Sequence, residues 1–417
     1  MPRDQCVRTA RAPRSTWRRR HEPLCVDPYD LLRSVIAQCN SLLSPEDISR
    51  AKAFAQQHMQ TVQFTIQDGR LLDEALALGA LTRREACLDG TQRAEATLMR
   101  FLSLELGQAV AKRAGKFETA TRLFEAAADC FVADRDDSAL PVLTGDPQAG
   151  GFLRENFTQW ADAASCLARG GAAGASAARR VHTLAVSRGV WLHPMQRPER
   201  SYLRSLRAQP FWPVASVPAA QALEAAASIV LSECHALVTS RAFRCYKDRG
   251  QDHAGADDHV VTAGAWSDAQ LFAGCRKDIS NCALCPRTAA LIESLPECNT
   301  VVHGAHWFSR LAPGTHISSH CGPSNFRLRM HLGLQIPDGC RIRVGDEVRT
   351  WRQGEVLVFD ESFEHAVWHD GSGDRIVFIS DLWHPDLDVD RSVLPTCSSE
   401  QREAFEAARR GQHLPKR

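Results

Sequence analysis

The chain has no run of about 18 apolar residues, so no segment reads as a transmembrane helix. It has no excess of either charge. Lys and Arg number 50 against 49 Asp and Glu, a formal net charge of +1, which argues against a polyanion-binding surface and against nucleic acid as a partner. The N-terminus, MPRDQCVRTARAPRSTWRRRHEP, is Arg-rich and nearly free of acids but lacks an apolar core segment, so it does not read as a secretory signal. Residues 1–25 are either a disordered basic tail or an organellar transit peptide. The expected location is cytoplasmic, or organellar in the second case. The 15 cysteines follow no regular framework, and without a signal peptide they are expected to be reduced. Cys282-Ala-Leu-Cys285 lacks a second pair at ribbon spacing, and His303 and His306 do not complete one, so a four-ligand zinc site is disfavoured.

Two patterns divide what is present. Residues 26–180 carry apolar side chains at three- and four-residue steps, as in DPYDLLRSVIAQCNSLLSPEDISRAKAFAQQHM, where Ser44 and Pro45 mark a helix start. In AGKFETATRLFEAAADCF, Gly115, Phe117, Ala120, Phe124 and Ala127 fall where a tetratricopeptide helix pair places its turn glycine and packing residues. A generic helical hairpin fits equally well. ARGGAAGASAARR, 168–180, reads as an interruption or linker. One more helix is expected over 217–240. After 298 come short period-two segments, HWFSRL, NFRLRMHLGLQI, CRIRV, EVRTW, EVLVFD, HAVWH and RIVFISDLW, separated by turn signals such as Pro-Asp-Gly and Asp-Gly-Ser-Gly-Asp. The fold class is therefore α+β: an N-terminal α-helical region, then a double-stranded β-helix (jelly roll). The divisions expected are a tail over 1–25, helices over 26–180, the barrel-containing domain over 190–395, and a C-terminal helix or tail over 396–417.

One strand poses a question. In NFRLRMHLGL, Arg327, Arg329 and His331 alternate with Leu328, Met330 and Leu332. Either the basic face meets solvent, or it lines a pocket that receives an acid. His320 precedes this strand and His365 opens a later one. Two histidines on different strands of a jelly roll are the usual donors to non-haem Fe(II). Arg375, on the next strand, could hold the far carboxylate of an oxo-diacid that chelates the iron, and Ser309 could share it.

PGTHISSHCGPSNFRLRMHLGL, GEVLVFDESFEHAVW and DRIVFISDLWHP resemble the aspartyl/asparaginyl β-hydroxylase family of Fe(II)- and 2-oxoglutarate-dependent oxygenases. The resemblance covers roughly 190–395 and is strongest over 306–386. It implies Fe(II), with 2-oxoglutarate and dioxygen as co-substrates. It assigns His320 and His365 to the metal, Ser309 and Arg375 to the 5-carboxylate of 2-oxoglutarate, and Arg329 and His331 to its 1-carboxylate. Position 322, where the usual facial triad has a carboxylate, is Gly, as in the family's animal members. Arg327 is the candidate for a substrate's acidic side chain, and Trp266 either lines the substrate cleft or simply packs. Asp360 or Glu361 either hydrogen-bonds a metal-bound water or forms a salt bridge at a strand end. The implied reaction hydroxylates an unactivated carbon, foremost the β-carbon of Asp or Asn in a protein or peptide held by the cleft and the helical region. A small molecule, a lipid acyl chain, or an inactive helical scaffold are the alternatives, and the presence of His320, His365 and Arg375 weighs against the last.

Overall fold

Among the described residues, thirteen strands form two antiparallel sheets. They are β1 (Phe211–Trp212), β2 (Arg244–Cys245), β3 (Val261–Ala263), β4 (Trp266–Ala273), β5 (Arg276–Lys277), β6 (Ala305–Leu311), β7 (Thr315–His320), β8 (Arg327–Gln335), β9 (Cys340–Val344), β10 (Glu347–Arg349), β11 (Val356–Phe359), β12 (His365–His369) and β13 (Arg375–Trp383). The computed structural model describes residues 103–104, 107, 117–129, 167, 171–198, 202–245, 260–387 and 399–416. The expected basic tail 1–25 and most of the helical region 26–180 lie outside the described residues.

The large sheet runs β1-β11-β8-β13-β6-β4-β2 with β5 on β4, and the small one β10-β9-β12-β7-β3. From β6 onward the chain crosses repeatedly between them, so β6, β13, β8 and β11 face β7, β12, β9 and β10 as a jelly-roll-like sandwich. Period-two alternation then sorts side chains on the large sheet. Leu328, Met330, Leu332, Phe308 and Phe378 point outward into one apolar cluster. Trp307, Leu311, Val377 and Ile379 point inward, with Ile317, Ile342, Val344 and Val367 of the small sheet.

The outward cluster is capped by α3 (Pro218–Ala225), α4 (Ala227–Thr239), α5 (Ile279–Leu284) and α6 (Pro286–Glu293). They lie between α1 (Phe117–Asp129) and α2 (Gly171–Ser187) before them and α7 (Pro296–Asn299) and α8 (Ser399–Arg409) after them. The helix expected over 217–240 is thus two, α3 and α4, bent by 65° at Ala226. Among the described residues no single helix is long and apolar enough to cross a membrane. The bent pair passes on length and composition together, but Ala219, Leu223, Val230 and Leu237 are spent on the core.

The stretch 168–180, read as a linker, instead enters α2. Alanine dominates it, and its helix propensity outweighs the glycines. Gly174, Ala177, Ala178 and Val181 bury one face in the cluster that holds Ala120, Phe124 and Ala127 of α1. α8 buries Ala404, Phe405 and Ala408 beside Trp383 and Leu203. Cys282 and Cys285 are free thiols inside the helical cap. They donate to the carbonyls of Leu271 and Glu233, and burial pushes the Cys282 thiol up to about 12 and the Cys285 thiol up as well.

Candidate active site

His320 ends β7 and His365 begins β12, and the two are register partners. Their ring centroids are 4.2 Å apart at 53°. Each ring is aimed by its own strand: His320 Nδ1 lies 2.8 Å from Ser318 O, and His365 Nδ1 2.8 Å from Phe363 O. A carbonyl only accepts, so both Nδ1 atoms carry the proton and both Nε2 atoms carry a lone pair. Burial holds the His365 imidazolium far below its ordinary range, and the neighbouring His320 adds to this. Two neutral imidazoles so placed could hold a transition metal. Among the described residues no cluster of three or more His, Cys, Asp or Glu is placed to do so.

The question about β8 resolves in favour of burial. Both faces are inside, Leu328, Met330 and Leu332 under the helices and the basic residues between the sheets. His331 accepts a hydrogen bond at Nδ1 from Trp351 Nε1 at 3.2 Å, so its Nε2 carries a proton, and that buried N–H has no protein partner. Burial lowers its pKa well below the ordinary value, and Arg375, Arg329 and His365 push the same way. Arg375 is 2% exposed. Its Nε and Nη1 are buried without a hydrogen-bond partner, its guanidinium carbon lies 4.6 Å over the Trp351 ring, and burial lowers its pKa to about 10. A solitary buried guanidinium is costly unless an anion arrives to meet it.

Trp351 reaches this place because Gly333 lets the chain close in. A Cβ at 333 would stand 2.2 Å from Arg352 O, and Gly354 N donates to Gly333 O at 2.8 Å. Ser309 lies opposite Val377, one diagonal step from Arg375. Its hydroxyl accepts from Trp266 Nε1 at 3.1 Å and keeps its own proton to donate. Phe359 walls the space between, 4.9 Å from the His331 ring and 5.8 Å from that of His365.

Three expected roles meet a different arrangement. Arg327 and Arg329 do not offer open guanidinium groups. Arg327 pairs with Glu361 through Nε and Nη2, and Arg329 bridges Glu361 Oε2 at 2.6 Å and Asp381 Oδ1 at 2.7 Å. Burial alone would raise the Asp381 carboxyl, but Arg329 and Arg327 hold it below its ordinary value. Glu361 therefore serves two arginines. Asp360 is tied to Gln196 Nε2 at 3.0 Å and to the Ser362 amide at 2.9 Å and hydroxyl at 2.5 Å, so its carboxylate is spent away from the histidines.

Gly322 shows why no third carboxylate stands there. Its N–H donates to Glu361 O at 2.6 Å, and a Cβ would fall 2.7 Å from Glu361 Cγ and 2.8 Å from its carbonyl oxygen. His316 stacks on Trp368 at 5.3 Å and contacts Thr262. His306, His369 and His384 satisfy neighbouring carbonyls. Trp351 and Asp381 escaped the sequence reading. Asp381 had a usable signal, since Arg375, Val377, Ile379 and Asp381 share one parity of β13.

With this geometry in view, the model of the aspartyl/asparaginyl beta-hydroxylase family matches residues 224–385. The chain is 48% identical over 132 residues to the aspartyl/asparaginyl beta-hydroxylase of Mus musculus, covering 31% of this chain and 18% of that protein. It is 36% identical over 217 residues to the aspartate beta-hydroxylase domain-containing protein 2 of Xenopus tropicalis, covering 50% of this chain and 57% of that protein. A solved Pseudomonas putida prolyl-4-hydroxylase overlaps 38% of this chain and 86% of its own at 11% identity, with a TM-score of 0.24. Residues 224–385 thus resemble the aspartyl/asparaginyl beta-hydroxylase family, and the chain spans less than two thirds of the length of each of the two beta-hydroxylase relatives.

Proposed function

We propose that the protein is an Fe(II)- and 2-oxoglutarate-dependent oxygenase that hydroxylates the β-carbon of an Asp or Asn residue in a protein or peptide. The observation that carries this reading is the pairing of two histidines with proton-free Nε2 atoms and a buried arginine whose Nε and Nη1 lack a partner. One centre suits a divalent metal; the other suits a carboxylate.

His320 and His365 would hold the iron through Nε2. When bound, iron supplies the activation of dioxygen that is coupled to decarboxylation of the oxo-acid. The rest is done by the chain. Arg375 neutralises the far carboxylate, which restores balance to a cation that burial leaves exposed to no water. Ser309 adds its O–H, oriented by the Trp266 indole. His331 donates from Nε2–H and stays neutral, so it orients an oxygen without contributing a second full charge. Trp351, Phe359 and Phe363 line the walls with apolar surface and keep bulk water from the reacting centre.

The test is succinate formation from 2-oxoglutarate by the purified protein with and without Fe(II), and again with His365→Ala. Iron-dependent succinate that disappears in the variant, with the far-ultraviolet circular dichroism unchanged, is the expected result. Wild-type turnover by His365→Ala would remove the metal assignment.

A further inference from the structure

The interior holds three arginines that differ in what they can receive. Arg375 keeps Nε and Nη1 without a hydrogen-bond partner. Arg327 and Arg329 are closed into a quartet with Glu361 and Asp381. Glu361 Oε1 takes Arg327 and Oε2 takes Arg329. Asp381 Oδ1 takes Arg329 Nε, while its Oδ2 takes Arg329 Nη2 at 3.1 Å, Arg327 Nη1 at 3.7 Å and the Ala305 amide at 3.0 Å. Two cations thus face two anions, and every carboxylate oxygen is engaged. All four side chains are buried or nearly so, with Arg329 the most open at 17%.

The quartet borders the histidine pair. Glu361 packs on Gly322, two residues beyond His320, and the charge of Arg329 is felt at His365. Glu361 is also seated firmly, because its carbonyl accepts from Gly322 N and its Cγ fills the space above that glycine.

An acidic side chain entering here would meet two carboxylates and no unbalanced positive charge. Like charges in a water-poor site repel, and the newcomer would also lose its hydration. An amide fits the same surroundings. Its NH2 can donate to a carboxylate edge and its carbonyl can accept from a guanidinium N–H, with no net charge added. On the footing of the function proposed above, we infer that Glu361 is a specificity-determining residue: by neutralising Arg327 and Arg329 it makes an uncharged side chain, the amide of asparagine, the preferred acceptor over the carboxylate of aspartate.

The test uses two random peptide pools that differ only in that every Asp of one is Asn in the other. Each is passed over immobilised full-length protein loaded with Fe(II) and 2-oxoglutarate under argon, and retention is quantified by mass spectrometry. Wild-type protein is expected to retain the Asn pool at least tenfold more strongly. Glu361→Gln keeps the side-chain volume and removes the charge, so it is expected to shift the ratio at least tenfold toward the Asp pool. Where that variant does not fold, the pair Arg327→Gln with Glu361→Gln preserves neutrality and is expected to keep the preference for Asn. Equal retention, or a preference for Asp, by the wild-type protein overturns the inference whatever the variants do. An unshifted ratio in folded Glu361→Gln also overturns it. Succinate formation in aerated samples reports separately on the oxygenase reading. Its absence alongside a clear Asn preference would sink that reading and leave the selectivity standing.

Discussion

Replacing Asp360 by Asn should stabilise the protein, and more so as the pH rises. Asp360 is fully buried. Burial pushes its carboxyl up from 3.8 to about 7; the charge of Glu361 adds to this, while hydrogen bonds from Ser362 and Gln196 oppose it. Below about pH 4 both folded and unfolded chains keep the proton, and there is no penalty. Between about pH 4 and pH 7 the unfolded chain releases it while the folded chain retains it, so folding loses stability as the pH rises. Above the folded value the cost is complete. A displacement from 3.8 to about 7 corresponds to ~4 kcal/mol, a large part of a typical domain's net stability. Asn carries no charge and escapes this cost. Against that, Gln196 Nε2 now donates to Asp360 Oδ2, so its amide must turn to face the NH2 of the variant, at a cost of ~1 kcal/mol. The net expectation is a gain of ~3 kcal/mol at about pH 8 that shrinks steadily toward about pH 5. Urea unfolding of both proteins at several pH values measures it. A difference between the two proteins that does not change with pH would refute the reasoning.

Two further substitutions probe the site directly. Arg375→Gln should raise the concentration of 2-oxoglutarate needed for half-saturation by at least about 100-fold, the scale of a lost charge-assisted pair. It should not destabilise the ligand-free protein, because it removes a buried cation that has no counter-charge. Calorimetric titration and thermal unfolding check the two halves, and unchanged affinity would reject the contact. Gly322→Asp should not install a third metal ligand, because its Cβ collides with Glu361. Overpacking of this kind costs ~2 kcal/mol. Fe(II) affinity measured against a chelating dye should stay level or fall, and tighter binding would show that Glu361 yields.

How far the sequence was readable depended on where each segment lies. Seven of the period-two segments became β6 and β8–β13, because turns rich in Gly, Pro and Asp set them apart. β7 is absent from those segments, since THISSH carries five polar side chains and a single aliphatic one, and little of it alternates. β4 went unrecognised for the opposite reason. Residues 268–272 are buried on both sides, between the helical cap and the neighbouring strands, and such strands lose the alternation that marks one wet face. The two histidines and Arg375 were legible from residue type and strand position. The fate of Arg327 and Arg329 was not, because sequence shows three cations on one face and cannot show that carboxylates from a turn and from β13 fold onto two of them. Trp351 was hidden too: it lies in a turn, and only the glycine at 333 lets that turn close.

The aim of the two imidazoles comes from main-chain oxygens two residues upstream, Ser318 O and Phe363 O. A histidine held by a neighbour's carboxylate depends on that neighbour being kept. Here the orienting partners are peptide groups that every residue type supplies except in how it bends the chain. The side chain at 318 is therefore free to vary, and that at 363 answers to its packing alone, while both rings keep the aim that the main chain gives them.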